Sequence, residues 1–163
     1  MNKTEKIILL GLGLAVLVLA AVLVFSPSPA PQTVVGEFTP PPFDAMAVEG
    51  TPPVEFPQIY GTLSLNEAAS VSLYSAPTVQ DGKITVCFYS KAENTAWVRL
   101  RITDENGRLL GQTGLLKPGE YVEHILLENA PRSSRAVARI LTYQPETYYS
   151  LGSASANIQL QIP

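Results

Sequence analysis

The stretch TAWVRLRIT, residues 95–103, alternates apolar and polar side chains without a break. Successive side chains of a β-strand point to opposite faces. Ala96, Val98, Leu100 and Ile102 therefore share one face, and Trp97, Arg99, Arg101 and Thr103 share the other. A helix would scatter both sets around its circumference, so the period of two predicts a half-buried strand. Asp104-Glu105-Asn106-Gly107 follows at once, and Asn and Gly tolerate the positive φ of a tight hairpin. Residues 108–112 return as the second arm.

The same pattern extends in both directions. Residues 69–74 read as a strand, and Asp81-Gly82 turns the chain. KITVCFYS, residues 83–90, places Ile84, Val86 and Phe88 on one face. Pro118-Gly119 is the pair that a type II turn prefers. Residues 121–127 alternate poorly, which predicts a bulge. Residues 135–143 form another run. In the last strand, residues 154–162, Ile158, Leu160 and Ile162 face inward and Asn157, Gln159 and Gln161 outward. About seven short strands at regular spacing, with no helical period, predict an all-β antiparallel sandwich over residues 58–163. The expected type is immunoglobulin-like or fibronectin-III-like, with a jelly roll as second choice. Two features depart from an immunoglobulin domain. Cys87 is the only cysteine, so no inter-sheet disulfide forms, and Trp97 points outward.

The N-terminal quarter obeys different rules. Residues 7–25 form an unbroken apolar run of 19 residues. As a helix this spans about 28 Å, close to the hydrocarbon thickness of a bilayer. A cleaved secretory signal is the alternative. The run exceeds a signal's usual apolar core, no small-residue cleavage site follows it, and Pro31 after Ala30 opposes cleavage. An uncleaved anchor inserted in the lipid bilayer is expected. Lys3 and Lys6 precede it, and no Lys or Arg occurs between Phe25 and Lys83. The positive-inside rule then leaves residues 1–6 in the cytoplasm and sends the rest outward. Residues 26–57 hold nine of the fourteen prolines. Proline fixes φ and removes an amide donor, so this segment reads as an extended stalk. Phe43, Met46, Val48, Val54 and Phe56 are more apolar than a spacer needs. They imply packing onto the domain or a partner.

Three strings carry a resemblance: PPFDAMAVEGTPP (residues 41–53), LLGQTGLLKPGEYVE (109–123) and YQPETYYSLGSASAN (143–157). With them the chain resembles a group of membrane-anchored proteins of Gram-positive bacteria, some carried on mobile elements. The resemblance covers most of the chain. It implies an anchored, extracytoplasmic β-sandwich and brings no catalytic residue with it.

The composition excludes several classes of function. Net charge is −3 and the charged fraction 15%. No basic stripe exists to release counterions from nucleic acid. A single cysteine rules out a four-cysteine zinc site, and no cofactor motif is present. Cys87 and the single histidine, His124, lack the cation and third group of an activated thiol. Asp104, Glu105 and Asn106 crowd one turn without the alternating spacing of a calcium loop. The expected function is a non-catalytic interaction module or accessory subunit of an envelope assembly, with a protein or wall partner. The alternative is an enzyme acting on wall polymers. The expected contact residues are two clusters, Trp97, Arg99 and Arg101, and Tyr143, Tyr148 and Tyr149, since Trp, Tyr and Arg dominate binding hot spots. A structural reading competes with this one. In it Trp97 lies against Arg99 as a cation–π pair and the tyrosines seal the end of the sandwich.

Overall fold

The structure, a computed structural model, describes residues 39–52, 60–66, 68–74 and 76–163. The expected membrane span 7–25 and part of the stalk lie outside the described residues. Among the described residues, no helix is long and apolar enough to cross a membrane. Thr39–Pro163 forms one unit.

That unit is all-β. The strands are β1 (Val48–Glu49), β2 (Tyr60–Asn66), β3 (Ala69–Tyr74), β4 (Thr78–Gln80), β5 (Lys83–Ser90), β6 (Trp97–Asp104), β7 (Leu109–Gln112), β8 (Glu120–Leu126), β9 (Arg135–Tyr143) and β10 (Ser150–Gln159). They form a six-stranded sheet in the order β1-β8-β5-β3-β2, with β4 also on β5, and a four-stranded sheet in the order β10-β9-β6-β7. Every named strand pair is antiparallel.

Alternation in each strand supplies the core. Val71, Leu73, Ile84, Val86, Phe88, Val122 and Ile125 come from the larger sheet. Val98, Leu100, Ile102, Leu110, Ala138 and Ile140 come from the smaller one, and all belong to one buried cluster. The two sheets thus face each other across a shared interior. Each buried Leu, Ile or Phe contributes about 1.5–3 kcal/mol of transfer free energy, and no disulfide is available to supplement it. Asn94 fixes the loop from β5 to β6 from within. Its Oδ1 accepts the Ser70 N–H at 2.7 Å, and its Nδ2 donates to Ser70 O at 2.9 Å and Ser90 Oγ at 3.1 Å.

The turns follow their sequences. Asp81 and Gly82 have φ of 51° and 72°, the two positive values of a two-residue hairpin that joins β4 to β5. At Pro118-Gly119 the Glu120 N–H donates to Lys117 O at 3.2 Å. The bulge expected in residues 121–127 falls on the partner strand, where the extra residue belongs to β5. Thr85 pairs with His124 and Phe88 with Val122, so β5 takes one more step than β8. Cys87, with φ 43°, lies within that bulge.

One expectation needs correction. Ile162 does not face the core. It is 44% exposed, because β10 ends at Gln159, short of the expected end of this strand. In the turn after β6, Asp104 is buried. Its Oδ1 accepts the N–H groups of Asn106 and Arg108, and its Oδ2 meets Arg108 Nε at 3.1 Å.

Residues 42–50 run as a strap along the rim of the sandwich. Leu115 N–H donates to Pro42 O at 2.8 Å, and Asp44 N–H donates to Leu115 O at 2.9 Å. Leu116 in turn bridges Val98 of β6, so the strap's first part borders the four-stranded sheet. Its last part is β1, which pairs Val48 with Tyr121 and Glu49 with Glu120 on the six-stranded sheet. The strap therefore pairs with backbone at the margin of each sheet, at Leu115 and at Glu120–Tyr121, positions where unpaired groups invite foreign strands. Asp44 organises it: Oδ2 accepts the Gly114 N–H at 2.7 Å and Oδ1 the Met46 N–H at 2.8 Å.

Candidate interaction surface

The outer face of the four-stranded sheet is fixed by register. Trp97 lies opposite Tyr143, Arg99 opposite Leu141, Arg101 opposite Arg139 and Thr103 opposite Val137. Val98, Leu100 and Ile102 are fully buried, so their neighbours Trp97, Arg99 and Arg101 point away from the core as the alternation predicts. The two clusters expected from sequence are one surface, because β6 and β9 are adjacent.

One end of this face is aromatic. The Trp97 ring meets Phe43 edge-on, with centroids 4.8 Å apart and planes at 75°. It meets Tyr148 at 5.2 Å and 63°. Both geometries suit the quadrupoles of aromatic rings. Tyr148 reaches Trp97 through a tight turn. Its N–H donates to Gln144 O at 3.0 Å, and its φ is 58°. Tyr149 is 72% exposed, and its carbonyl accepts the Gln144 N–H at 2.8 Å.

The competing reading paired Trp97 with Arg99, but Arg99 Nε donates to Thr113 O at 2.9 Å. Lys117 lies over an aromatic ring, with Nζ 4.9 Å from the centroid of Phe43.

The middle of the face is cationic. Arg99, Arg101 and Arg139 project from adjacent strands. Among the described residues the ion pairs are Arg108–Asp104, Arg135–Glu105 and His124–Glu123, and none involves these three arginines. A concavity of about 290 Å³ opens beside Arg101 and Arg139.

Sequence reading missed Phe43, Lys117 and Arg139 as members of this surface. Arg139 was within reach, since a period of two along RAVARILTY, residues 135–143, puts Arg139 and Tyr143 on one face. Phe43 and Lys117 carry no such signal, because the strap that brings them together is not periodic.

The residues weighed for catalysis lie elsewhere. Cys87 is buried and His124 sits half-exposed, with Nε2 3.6 Å from Glu123 Oε2. No group of His, Cys, Asp and Glu able to hold a metal ion occurs among the described residues.

Comparison of the chain with protein-family models and with curated proteins finds no match.

Proposed function

We propose that the chain is a non-catalytic interaction module of the cell envelope. It is held in the membrane by residues 7–25, with the N-terminus in the cytoplasm and the β domain outside. Its contact surface is the outer face of the four-stranded sheet, facing a protein or wall partner. The observation that carries the reading is the meeting of Trp97, Tyr143 and Tyr148 with Arg99, Arg101 and Arg139 on one sheet face. Aromatic rings and arginines of this kind supply most of the binding energy at interfaces. An immunoglobulin-like domain is part of the same reading. The order β3-β5-β8 matches strands A-B-E of that fold, and β10-β9-β6-β7 matches G-F-C-C′. Trp97 opens β6, the strand C equivalent, but faces outward, so this tryptophan is free of the core role it has in antibodies.

A photo-crosslinking residue in place of Tyr149 tests the surface in intact cells. A discrete cross-linked envelope partner is expected, and Trp97→Ala in the same chain removes it while the protein remains folded. Cross-linking that Trp97→Ala leaves unchanged would refute the assignment of this face. Topology is tested separately with protease on wall-stripped cells. Cleavage within residues 26–57 should release the β domain, and protection equal to that of a cytoplasmic protein overturns the orientation.

A further inference from the structure

The pairing of Arg101 with Arg139 is unusual for a sheet surface. The two residues are direct cross-strand partners, and like charges so placed destabilise a ladder. On its other flank Arg101 faces Gln112 of β7, which is neutral. Among the described residues Arg139 makes one long hydrogen bond, from Nε to Ser155 Oγ at 3.4 Å. Arg101 Nε is buried and has no hydrogen-bond partner among the described residues. A buried donor without a partner is costly, and more so when it is charged, so its retention calls for an explanation.

Both arginines line the same concavity, with Thr103, Asp104, Glu105, Gly107 and Val137. Its two carboxylates are engaged elsewhere. Asp104 is held by Arg108, and Glu105 Oε1 lies 3.1 Å from Arg135 Nε, with Oε2 accepting from Ser133 Oγ at 3.3 Å. Neither neutralises the central pair.

The geometry points to an oxyanion site between Arg101 and Arg139 that takes a phosphate group. Guanidinium donors match the oxygens of phosphate in bidentate fashion. Two uncompensated positive charges are balanced by one phosphate dianion and only half balanced by one carboxylate, so charge count selects phosphate. The site deepens the reading of this face as the contact surface and rests on it. It names the chemistry of the ligand as a phosphate dianion, free or as a monoester borne by a larger envelope molecule.

The full chain in a zwitterionic detergent is titrated with inorganic phosphate, methyl phosphate and acetate at constant ionic strength. At about pH 8 inorganic phosphate is largely a dianion, as is a phosphate monoester with its second pKa of about 6. The readout is the ¹H–¹⁵N signal of the arginine Nε–H groups, together with calorimetry. Phosphate should shift the Arg101 Nε–H signal saturably and bind at least tenfold more tightly than acetate. Arg139→Gln, at an exposed position, should weaken phosphate binding at least tenfold without changing the unfolding midpoint in chloride. Methyl phosphate separates the sources: affinity near that of phosphate identifies a monoester ligand, and much weaker binding a free phosphate. Equal affinity for acetate and phosphate, or a phosphate response unchanged in Arg139→Gln, overturns the site. If the cross-linked partner persists while phosphate fails, the oxyanion site falls and the surface stands. If phosphate binds and no partner cross-links, the envelope-contact reading falls instead.

Discussion

Gly114 offers a direct way to detach the strap without touching it. A Cβ at this position would lie 2.5 Å from Asp44 N, 2.6 Å from Asp44 Cα and 2.7 Å from the Phe43 carbonyl carbon. All three are backbone atoms, so no rotamer change relieves the overlap. In Gly114→Ala the strap must move away. Three interactions go with it: the Leu115 N–H to Pro42 O bond, the Asp44 N–H to Leu115 O bond, and the Gly114 N–H to the Asp44 carboxylate. Two neutral bonds at about 1 kcal/mol each and one to a charged acceptor at about 2 give roughly 4 kcal/mol. Backbone freedom regained by the released residues offsets part of this, and a net loss of about 2 kcal/mol is expected. Denaturant unfolding of the full chain measures it. Trp97 is the only tryptophan and lies against Phe43 of the strap, so its emission reports both global unfolding and local release. Gly114→Ala should unfold at lower denaturant and show altered Trp97 emission before the main transition. An unchanged midpoint and unchanged native emission would refute the claim that the strap is bound by these contacts.

Leu100→Ala should cost about 2–5 kcal/mol, the range for a fully buried leucine that leaves a cavity. Trp97→Ala should cost less, about 1–3 kcal/mol, since Trp97 is half-buried and its two edge-on contacts are worth about 0.5–1.5 kcal/mol each beyond area; a larger loss at Trp97 than at Leu100 in chemical denaturation contradicts the register. Asp104 supplies a pH dependence: the Arg108 N–H, as the largest cause, holds its carboxyl below the ordinary value against the opposing effect of burial, with the Arg108 guanidinium and Asn106 N–H adding to the lowering. A depressed folded-state pKa stabilises the fold above the unfolded value of about 3.9 and loses that contribution as pH falls through the folded value. Stability measured against pH should therefore fall more steeply in acid, below about pH 4, for wild type than for Asp104→Asn, and parallel curves would exclude the linkage. Asp44→Asn keeps an acceptor oxygen but not the charge, so its loss, read by the same unfolding assay, should be smaller than that of Gly114→Ala.

Most of the central strands were legible in the sequence. The expected runs at 69–74, 83–90 and 135–143 coincide with β3, β5 and β9, because each places apolar residues at every second position of its inner face. β1 and β4 span two and three residues, too few for a period of two to register. Residues 60–66 fell inside the expected domain without being read as a strand. Ile162 marks another limit: alternation tells which way a side chain points but not whether another layer covers it. The surface was half legible for a related reason. Trp97, Arg99 and Arg101 follow from the alternation of one strand. Their meeting with Tyr143 and Arg139 depends on the register between strands distant in sequence, which no local pattern encodes.

The strap links stability and surface in one element. Its prolines suit it to an edge, because a residue without an N–H donor can border a sheet but not continue it. Pro42 presents only its carbonyl, which accepts the Leu115 N–H, and Asp44 restores donor and acceptor balance one residue later. The next consequence is positional. With Pro42 and Asp44 fixed on Leu115 and Gly114, Phe43 between them is held at the end of β6, where its ring meets Trp97 and Lys117. Trp97 is thereby braced on one side by the strap and on the other by the turn that carries Tyr148. A tryptophan with its rotamer held in this way loses little conformational entropy on contact with a partner. The strap residues that protect the sheet edges therefore also preorganise the aromatic end of the surface.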